Sequence, residues 1–337
     1  MTTIILIFAG ALVVAAGAMP MVRQMGNRLG LIDRPDARKI HRVPVPRIGG
    51  LAMYGAVLLA LVILRNRYNF DEAVGILISA TWMSLVGVID DRTPLRPLVK
   101  LAGQVTGAIF LIWAGIQVNL FPASYLWLNW LVTIGWVVGI TNAMNLLDNM
   151  DGLSGGIAAV AAIFFALLAM LSGQYLVAVL SAAVAGAALG FWLYNFNPAS
   201  VFMGDSGSLF LGLMLAAVGI KLRFPANSPV ITWMVPVLVL GVPIFDTAFV
   251  VVSRLKRGLH PFTAGTDHTS HRLVRRGFTR REAVMALYLV SGMLGIIAQF
   301  VTQTSLVEAY LIAAAILMMA GIAFWRLDKI SPDSPLS

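Results

Sequence analysis

Eleven apolar runs, each about 17–24 residues long, fill most of this chain and leave it little choice of fold. A helix rises about 1.5 Å per residue, so roughly 20 apolar residues cross the roughly 30 Å hydrocarbon layer of a bilayer. Peptide groups in that layer have no water to bond, so they must pair within a helix or around a closed barrel. Barrel strands would alternate apolar and polar residues over about ten positions, and these runs do not. The runs lie at about 3–21, 48–64, 72–89, 98–115, 124–144, 153–171, 174–193, 206–221, 229–252, 282–301 and 304–325. The expected fold is an all-α polytopic membrane protein, a bundle of about 11 transmembrane helices. Only Ser172-Gly173 and Thr302-Gln303 separate two of the pairs, so the count rests on those breaks.

Composition agrees: 59% of the 337 residues are hydrophobic and 12% charged, against about 45–50% and about 25% in soluble domains. The longest polar stretch, Ser253 to Arg281, is too short for a soluble domain. Residues 1–337 are therefore expected to form a single integral-membrane domain, with 253–281 as a basic cytoplasmic loop within it. The chain has no cysteine, which excludes disulfides, thiol nucleophiles and cysteine metal sites. Met-Thr-Thr-Ile-Ile at the N-terminus lacks a positive n-region, so the first run is expected to be a retained helix.

Charge placement orients the bundle. With eleven spans, the segments 22–47, 90–100, 145–152, 194–205, 253–281 and 326–337 share one side and hold 20 of the 24 Lys and Arg residues. Basic loops stay in the cytoplasm, so the N-terminus is expected outside and the C-terminus inside. Asp90–Asp91, Asp148/Asp151, Asp205 and Asp267 all then fall on the cytoplasmic side. A carboxylate costs roughly 2.5–3.5 kcal/mol at the centre of a span, so such clusters call for a functional explanation.

Four constellations can carry chemistry. Asp90-Asp91 closes the third run, followed by Arg96, Pro97 and Lys100. Adjacent like charges raise one pKa, which suits a base or a ligand of magnesium-bound water, while Lys100 and Arg96 offer cations to phosphate; a charged interfacial loop with local ion pairs is the alternative. Asn142, Asn145 and Asp148 recur every three residues on one helix face, with Asp151 continuing the spacing and Gly152 allowing a tight turn. These oxygen ligands and amides suit a hard cation or a nucleobase edge, and capping accounts for one or two of them. Phe202-Met-Gly204-Asp205-Ser-Gly207-Ser opens the eighth run, where glycines let amides approach an anion and a carboxylate can hold magnesium; a simple N-cap is the alternative. The loop with Arg254, Lys256, Arg257, His260, Asp267, His268, His271, Arg272, Arg275 and Arg276 offers arginine forks for pyrophosphate; positive-inside bias is the alternative for many of the arginines. Its two close histidines match no zinc pattern. The segment Asp33 to Gly50, with Arg42 as a substrate-contact candidate, reads as an ordered loop rich in proline and glycine, with a merely charged interfacial loop as the equal alternative. Asp246 lies about 9 Å inside the ninth run and must pair within the bundle.

Together these motifs resemble the polyprenyl-phosphate N-acetylhexosamine-1-phosphate transferases, the glycosyltransferase-4-like membrane family. DDxxxLxPxxK, NxxNxxDxxDGL and FMGDxGSLxLG occur in that order, with PxPRxGG before them and PxxD after, covering residues 33 to about 277. The branch acting on UDP-GlcNAc and undecaprenyl phosphate is closer than the phospho-MurNAc-pentapeptide translocases, whose three consecutive histidines are missing. The GlcNAc branch's Asp-Arg-x-His-x-His-His is itself altered: His268 and His271 remain, and Ser270 stands at the penultimate histidine. The resemblance implies Mg2+ (Mn2+ as a substitute) on Asp205, with Asn145 as second ligand or neighbour. It places Phe202 against uracil, and Asp148 and Asp151 at the uridine. Asp90 and Asp91 fall on the lipid-phosphate side, with Asp90 the base or orienter. His268, His271, Arg272, Lys100 and Asn142 complete the candidate catalytic and substrate-binding set.

The implied partners are a UDP-hexosamine, undecaprenyl phosphate and membrane lipid, with no nucleic acid and a homodimer as the family expectation. The implied location is the bacterial inner membrane. A lipid-phosphate oxygen would attack the β-phosphorus and release UMP. Because a phosphate's second pKa is about 6, a base adds little, and a positioning role is expected for Asp90. An ion-coupled transporter or lipid flippase is the rival from another class, but no internal repeat is visible and only Asp246 lies within a span.

Overall fold

The computed structural model describes residues 1–33, 44–63, 70–261, 263 and 265–331. Arg42 therefore lies outside the described residues, as do Asp36, Arg38, Lys39, His41, Arg65 and Arg67. Among the described residues a helix forms at each of the eleven apolar runs. Eight are long and apolar enough to cross a membrane, or nine if one bent pair counts as a single span; two further apolar helices are shorter. The structure divides between Leu222 and Arg223 into two compact units.

The first unit contains α1 (Thr2–Leu29), α2 (Gly49–Ile63), α3 (Phe70–Arg92), α4 (Pro97–Trp113), α5 (Leu126–Leu147), α6 (Leu153–Leu171), α7 (Tyr175–Asn195) and α8 (Gly204–Lys221). Helix α8 is its axis, packed by α2, α3 and α5 and touched by α6 and α7. Every α8 residue is buried except Asp205 and Lys221 at its two ends. An all-apolar or small-residue helix has no amphipathic preference and belongs at a centre. Small residues bring its neighbours close: a Cβ on Gly50 of α2 would collide with the α8 backbone at Gly207. Helix α4 begins at Pro97, whose missing N–H falls where the helix has no acceptor for it.

Two short strands, β1 (Ile32–Asp33) and β2 (Val45–Pro46), pair antiparallel. Arg47 then bridges to Phe202 in parallel, and Phe202 N–H donates to Pro46 O at 2.8 Å. Gly49 and Gly50 N–H donate to the carbonyls of Phe202 and Met203 at 2.9 and 3.0 Å. The chain ahead of α2 is thus stitched to the chain ahead of α8, a pairing that helical periodicity could not announce.

The second unit holds α9 (Pro229–Val239), α10 (Gly241–Lys256), α11 (Thr269–Arg275), α12 (Arg280–Val301) and α13 (Leu306–Asp328). The ninth run was expected as one helix; it is two, bent by 76°. Pro243 has no N–H for the Val239 carbonyl, and Pro236 sits inside α9, so the ladder breaks between them. The polar stretch 253–281 was expected as a loop, yet it carries the last turn of α10 and all of α11.

Candidate active site

In the first unit four helices bring polar groups onto one ammonium. Lys100 Nζ, on α4, donates to Asp205 Oδ2 at 2.6 Å, and to Asn145 Oδ1 at 3.2 Å. It lies 2.8 Å from Asp90 Oδ2. Asn145 Nδ2 donates to Asp205 Oδ1 and to Ser208 Oγ, both at 2.8 Å. Asp90 Oδ1 also accepts the Leu95 N–H at 2.6 Å, tying the end of α3 to the turn before α4. Two carboxylates and an amide oxygen therefore face one cation.

The neighbouring aspartate does something else. Asp91 Oδ1 and Oδ2 accept the N–H groups of Asp205 and Ser206 at 2.8 and 3.0 Å, and the side chain is only 2% exposed. Asp91 thus caps α8 from α3, satisfying amides that have no intrahelical partner. Gly204 makes the approach feasible: its φ is +70°, and a Cβ there would lie 2.5 Å from Asp91 Oδ2. Arg47, the arginine of PxPRxGG but not among the candidate site residues, stands 4.0 Å from Asp91 and 3.6 Å from Asp33.

Asp148 and Asp151 flank the turn between α5 and α6. Asp151 Oδ2 accepts from Asn197 Nδ2 and Ala199 N–H, both at 3.0 Å. Asn195 holds the same junction, accepting Gly152 N–H and donating to Val201 O, each at 2.9 Å. These bonds set the loop that delivers Phe202 and Asp205. Asp148 has no hydrogen bond from its carboxylate to a described residue. Burial pushes it up to about 7, with the charges of Asp205, Asp91 and Asp151 adding and Arg47 opposing. Asn142 stays apart from the cluster: its amide pairs with Gln104.

In the second unit the residues expected to bind substrate are also gathered. Asp246, 2% exposed inside α10, accepts from Thr269 N–H at 2.7 Å and lies 2.8 Å from His268 Nδ1. This is the partner that a carboxylate within a span requires. Arg254 grips Asp267 with two nitrogens at 2.7 and 2.9 Å, and Arg257 adds a third bond at 2.6 Å. Burial alone would raise Asp267, but these arginines hold it down at about 2.

His271 is pushed down to about 4 by burial, with His268 and Arg275 contributing, and is neutral at pH 7. Arg272 donates to Ser253 Oγ at 3.2 Å and lies over Phe249. Its Nε and Nη1, and His271 Nδ1, are buried without a partner among the described residues. The unsatisfied Arg272 donors suit a phosphoryl oxygen, as does His271 in its Nδ1–H tautomer.

Among the described residues no three His, Cys, Asp or Glu side chains form a metal-binding group. The oxygens of Asp205, Asp90 and Asn145 are nonetheless hard donors of the type Mg2+ takes, and Mg2+ usually keeps one or two carboxylates plus water and phosphate. The residues present fit that ion. Gln104, Asn195, Asn197 and Ser253 join these networks without a motif of their own; Gln104 is signalled only by its helix spacing from Lys100, and the other three by nothing local.

Residues 73–223 match the profile of glycosyl transferase family 4. Over 331 residues the chain is 32% identical to the probable undecaprenyl-phosphate N-acetylglucosaminyl 1-phosphate transferase of Bacillus subtilis, covering 96% of this chain and 92% of that one. It is 32% identical over 312 residues to the decaprenyl-phosphate N-acetylglucosaminephosphotransferase of Mycobacterium tuberculosis H37Rv, covering 80% and 76%. The undecaprenyl-phosphate alpha-N-acetylglucosaminyl 1-phosphate transferase of Escherichia coli K12 is 25% identical over 294 residues, covering 82% and 79%. With such identity over nearly its whole length, and the Lys100–Asn145–Asp205 cluster inside the matched stretch, this chain belongs to the polyprenyl-phosphate N-acetylhexosamine-1-phosphate transferases of glycosyl transferase family 4.

Proposed function

We propose that the protein transfers N-acetylglucosamine 1-phosphate from UDP-GlcNAc to undecaprenyl phosphate at the cytoplasmic face of a bacterial plasma membrane. The observation that carries this reading is the convergence of Asp90, Lys100, Asn145 and Asp205 from four helices, in a chain whose relatives bear that activity in their names. A lipid-phosphate oxygen forms a bond to the β-phosphorus while the bond to the bridging oxygen breaks, and UMP leaves with that oxygen. One diphosphate replaces another, so the barrier is chiefly repulsion between anions.

Asp205 and Asn145 would hold Mg2+, which when bound neutralises charge on the diphosphate. Lys100 places a second cation beside Asp205. Lipid phosphate is already mostly ionised near neutral pH, its second pKa being about 6 by analogy with phosphoserine. Asp90 accordingly serves by fixing the Lys100 ammonium and the Leu95 amide. Phe202 and Asp148 form the nucleoside side, Asp148 having a carboxylate still able to accept. Arg272 and His271 offer buried donors for phosphoryl oxygen.

Purified protein in detergent, given undecaprenyl phosphate, Mg2+ and a panel of UDP-sugars, should release UMP with UDP-GlcNAc and stop on chelation. Release confined to another UDP-hexosamine would correct the sugar, and no release from any would refute the transferase reading. The chain lacks cysteine, so Arg92→Cys and Gly258→Cys offer single labelling sites, both expected to react only from the cytoplasmic side.

A further inference from the structure

A polar pair buried between two apolar helices needs an explanation. Gln104 on α4 is fully buried and exchanges two hydrogen bonds with Asn142 on α5: Gln104 Nε2 to Asn142 Oδ1 at 3.1 Å, and Asn142 Nδ2 to Gln104 Oε1 at 2.6 Å. Asn142 Nδ2 also donates to Val138 O at 2.9 Å. Asn142, expected from sequence to contact substrate, has its amide engaged here. One helical turn along, the same two helices are joined again, because Lys100 precedes Gln104 by four residues and Asn145 follows Asn142 by three. That second link is the 3.2 Å bond from Lys100 to Asn145. Helices α4 and α5 are thus connected by two rungs, of which only the upper belongs to the Asp205 cluster.

We propose that the Gln104–Asn142 pair is a positioning device that fixes the register and rotation of α4 against α5, and so presents Lys100 and Asn145 to Asp205. Two apolar side chains would pack here at many small offsets. A reciprocal amide pair satisfies all its groups in one alignment only, which is how buried polar residues specify register between helices. Asn145 must aim its oxygen at Lys100 and its nitrogen at Asp205 and Ser208, so it tolerates little rotation of α5.

The test compares Gln104→Met, Asn142→Leu and the exchanged double variant Gln104→Asn/Asn142→Gln, which keeps both amides and their summed length. Each full-length protein is purified in detergent, and Mn2+ binding is measured by electron paramagnetic resonance alongside kcat and KM for UDP-GlcNAc. The kinetic arm rests on the transferase reading; the metal arm does not. Both single variants should melt near wild type yet bind Mn2+ about tenfold more weakly. Their kcat should fall about ten- to a hundredfold with KM little changed, the scale that small misplacements produce. The exchanged variant should recover most of both losses.

Folded single variants that bind Mn2+ and turn over like wild type would overturn the proposal. So would an exchanged variant as impaired as the singles. If an apolar variant fails to fold, Gln104→Ser, polar but too short to reach Asn142, must show the losses above; wild-type behaviour there is equally fatal. Wild-type protein that forms no UMP refutes the transferase reading, and the pair is then judged on Mn2+ binding alone.

Discussion

Replacing Asp91 by alanine separates the two adjacent aspartates of α3. Its carboxylate accepts two first-turn amides of α8, those of Asp205 and Ser206, at 2.8 and 3.0 Å, from a site only 2% exposed. Hydrogen bonds to a charged partner are worth about 1.5 kcal/mol each at the low end, so losing both costs about 3 kcal/mol. A domain of 150–250 residues shifts by roughly 2–4 °C per kcal/mol, and the first unit spans Met1–Leu222. Asp91→Ala should therefore melt about 6–12 °C below wild type in detergent. UMP release should fall too, because Asp205 lies in that same first turn of α8. Asp90→Ala frees only the Leu95 amide and one side of Lys100, and its melting point should drop far less. Nanoscale differential scanning fluorimetry reads both. An Asp91→Ala protein that melts with wild type but has lost turnover would refute the capping argument and give Asp91 a chemical role instead.

Asp205→Asn should lower UMP release about a hundredfold or more, the usual cost of removing a main electrostatic contact. Asp90→Asn should retain substantial turnover, and equal losses would contradict a positioning role for Asp90. Asp148 has a folded pKa of about 7, above its ordinary 3.8, so the folded state holds the extra proton between these values and stability falls as pH rises from about 4 to 7. Metal-free Asp148→Asn should consequently melt higher than wild type at pH 8 and level with it near pH 4. His271 runs the other way: its folded value of about 4 lies below the ordinary 6.5, so the unfolded chain binds the proton first and stability falls as pH drops from 6.5 to 4. The slope is at most about 1.4 kcal/mol per pH unit, and His271→Gln should flatten that part of the pH–melting curve.

The helices were legible because burial in a bilayer imposes a length and an apolar content that any reader of the chain can measure. Helix α6 runs from Leu153 to Leu171, as its sequence run does. The ninth run misled because its apolar content continues through Pro236, Gly241 and Pro243, and hydropathy does not see a missing N–H. Helix α11 was missed because it is short and polar, with its start held by Asp246 from more than twenty residues away.

Sequence by itself determined that this is a helical membrane protein and which polar residues it places at helix ends, since both follow from local spacing and the cost of charge in hydrocarbon. It also carried the family, through several motifs in one order along the chain. Only the tertiary structure decided how the work divides among those residues. Asp90 and Asp91 differ by about 100° around α3, so one reaches Lys100 and the other caps α8. Asn142 and Asn145 share a face but differ by one turn in depth, so one pairs with Gln104 and the other with Asp205. Such partners come from other helices, and no local spacing records which helix will pack alongside.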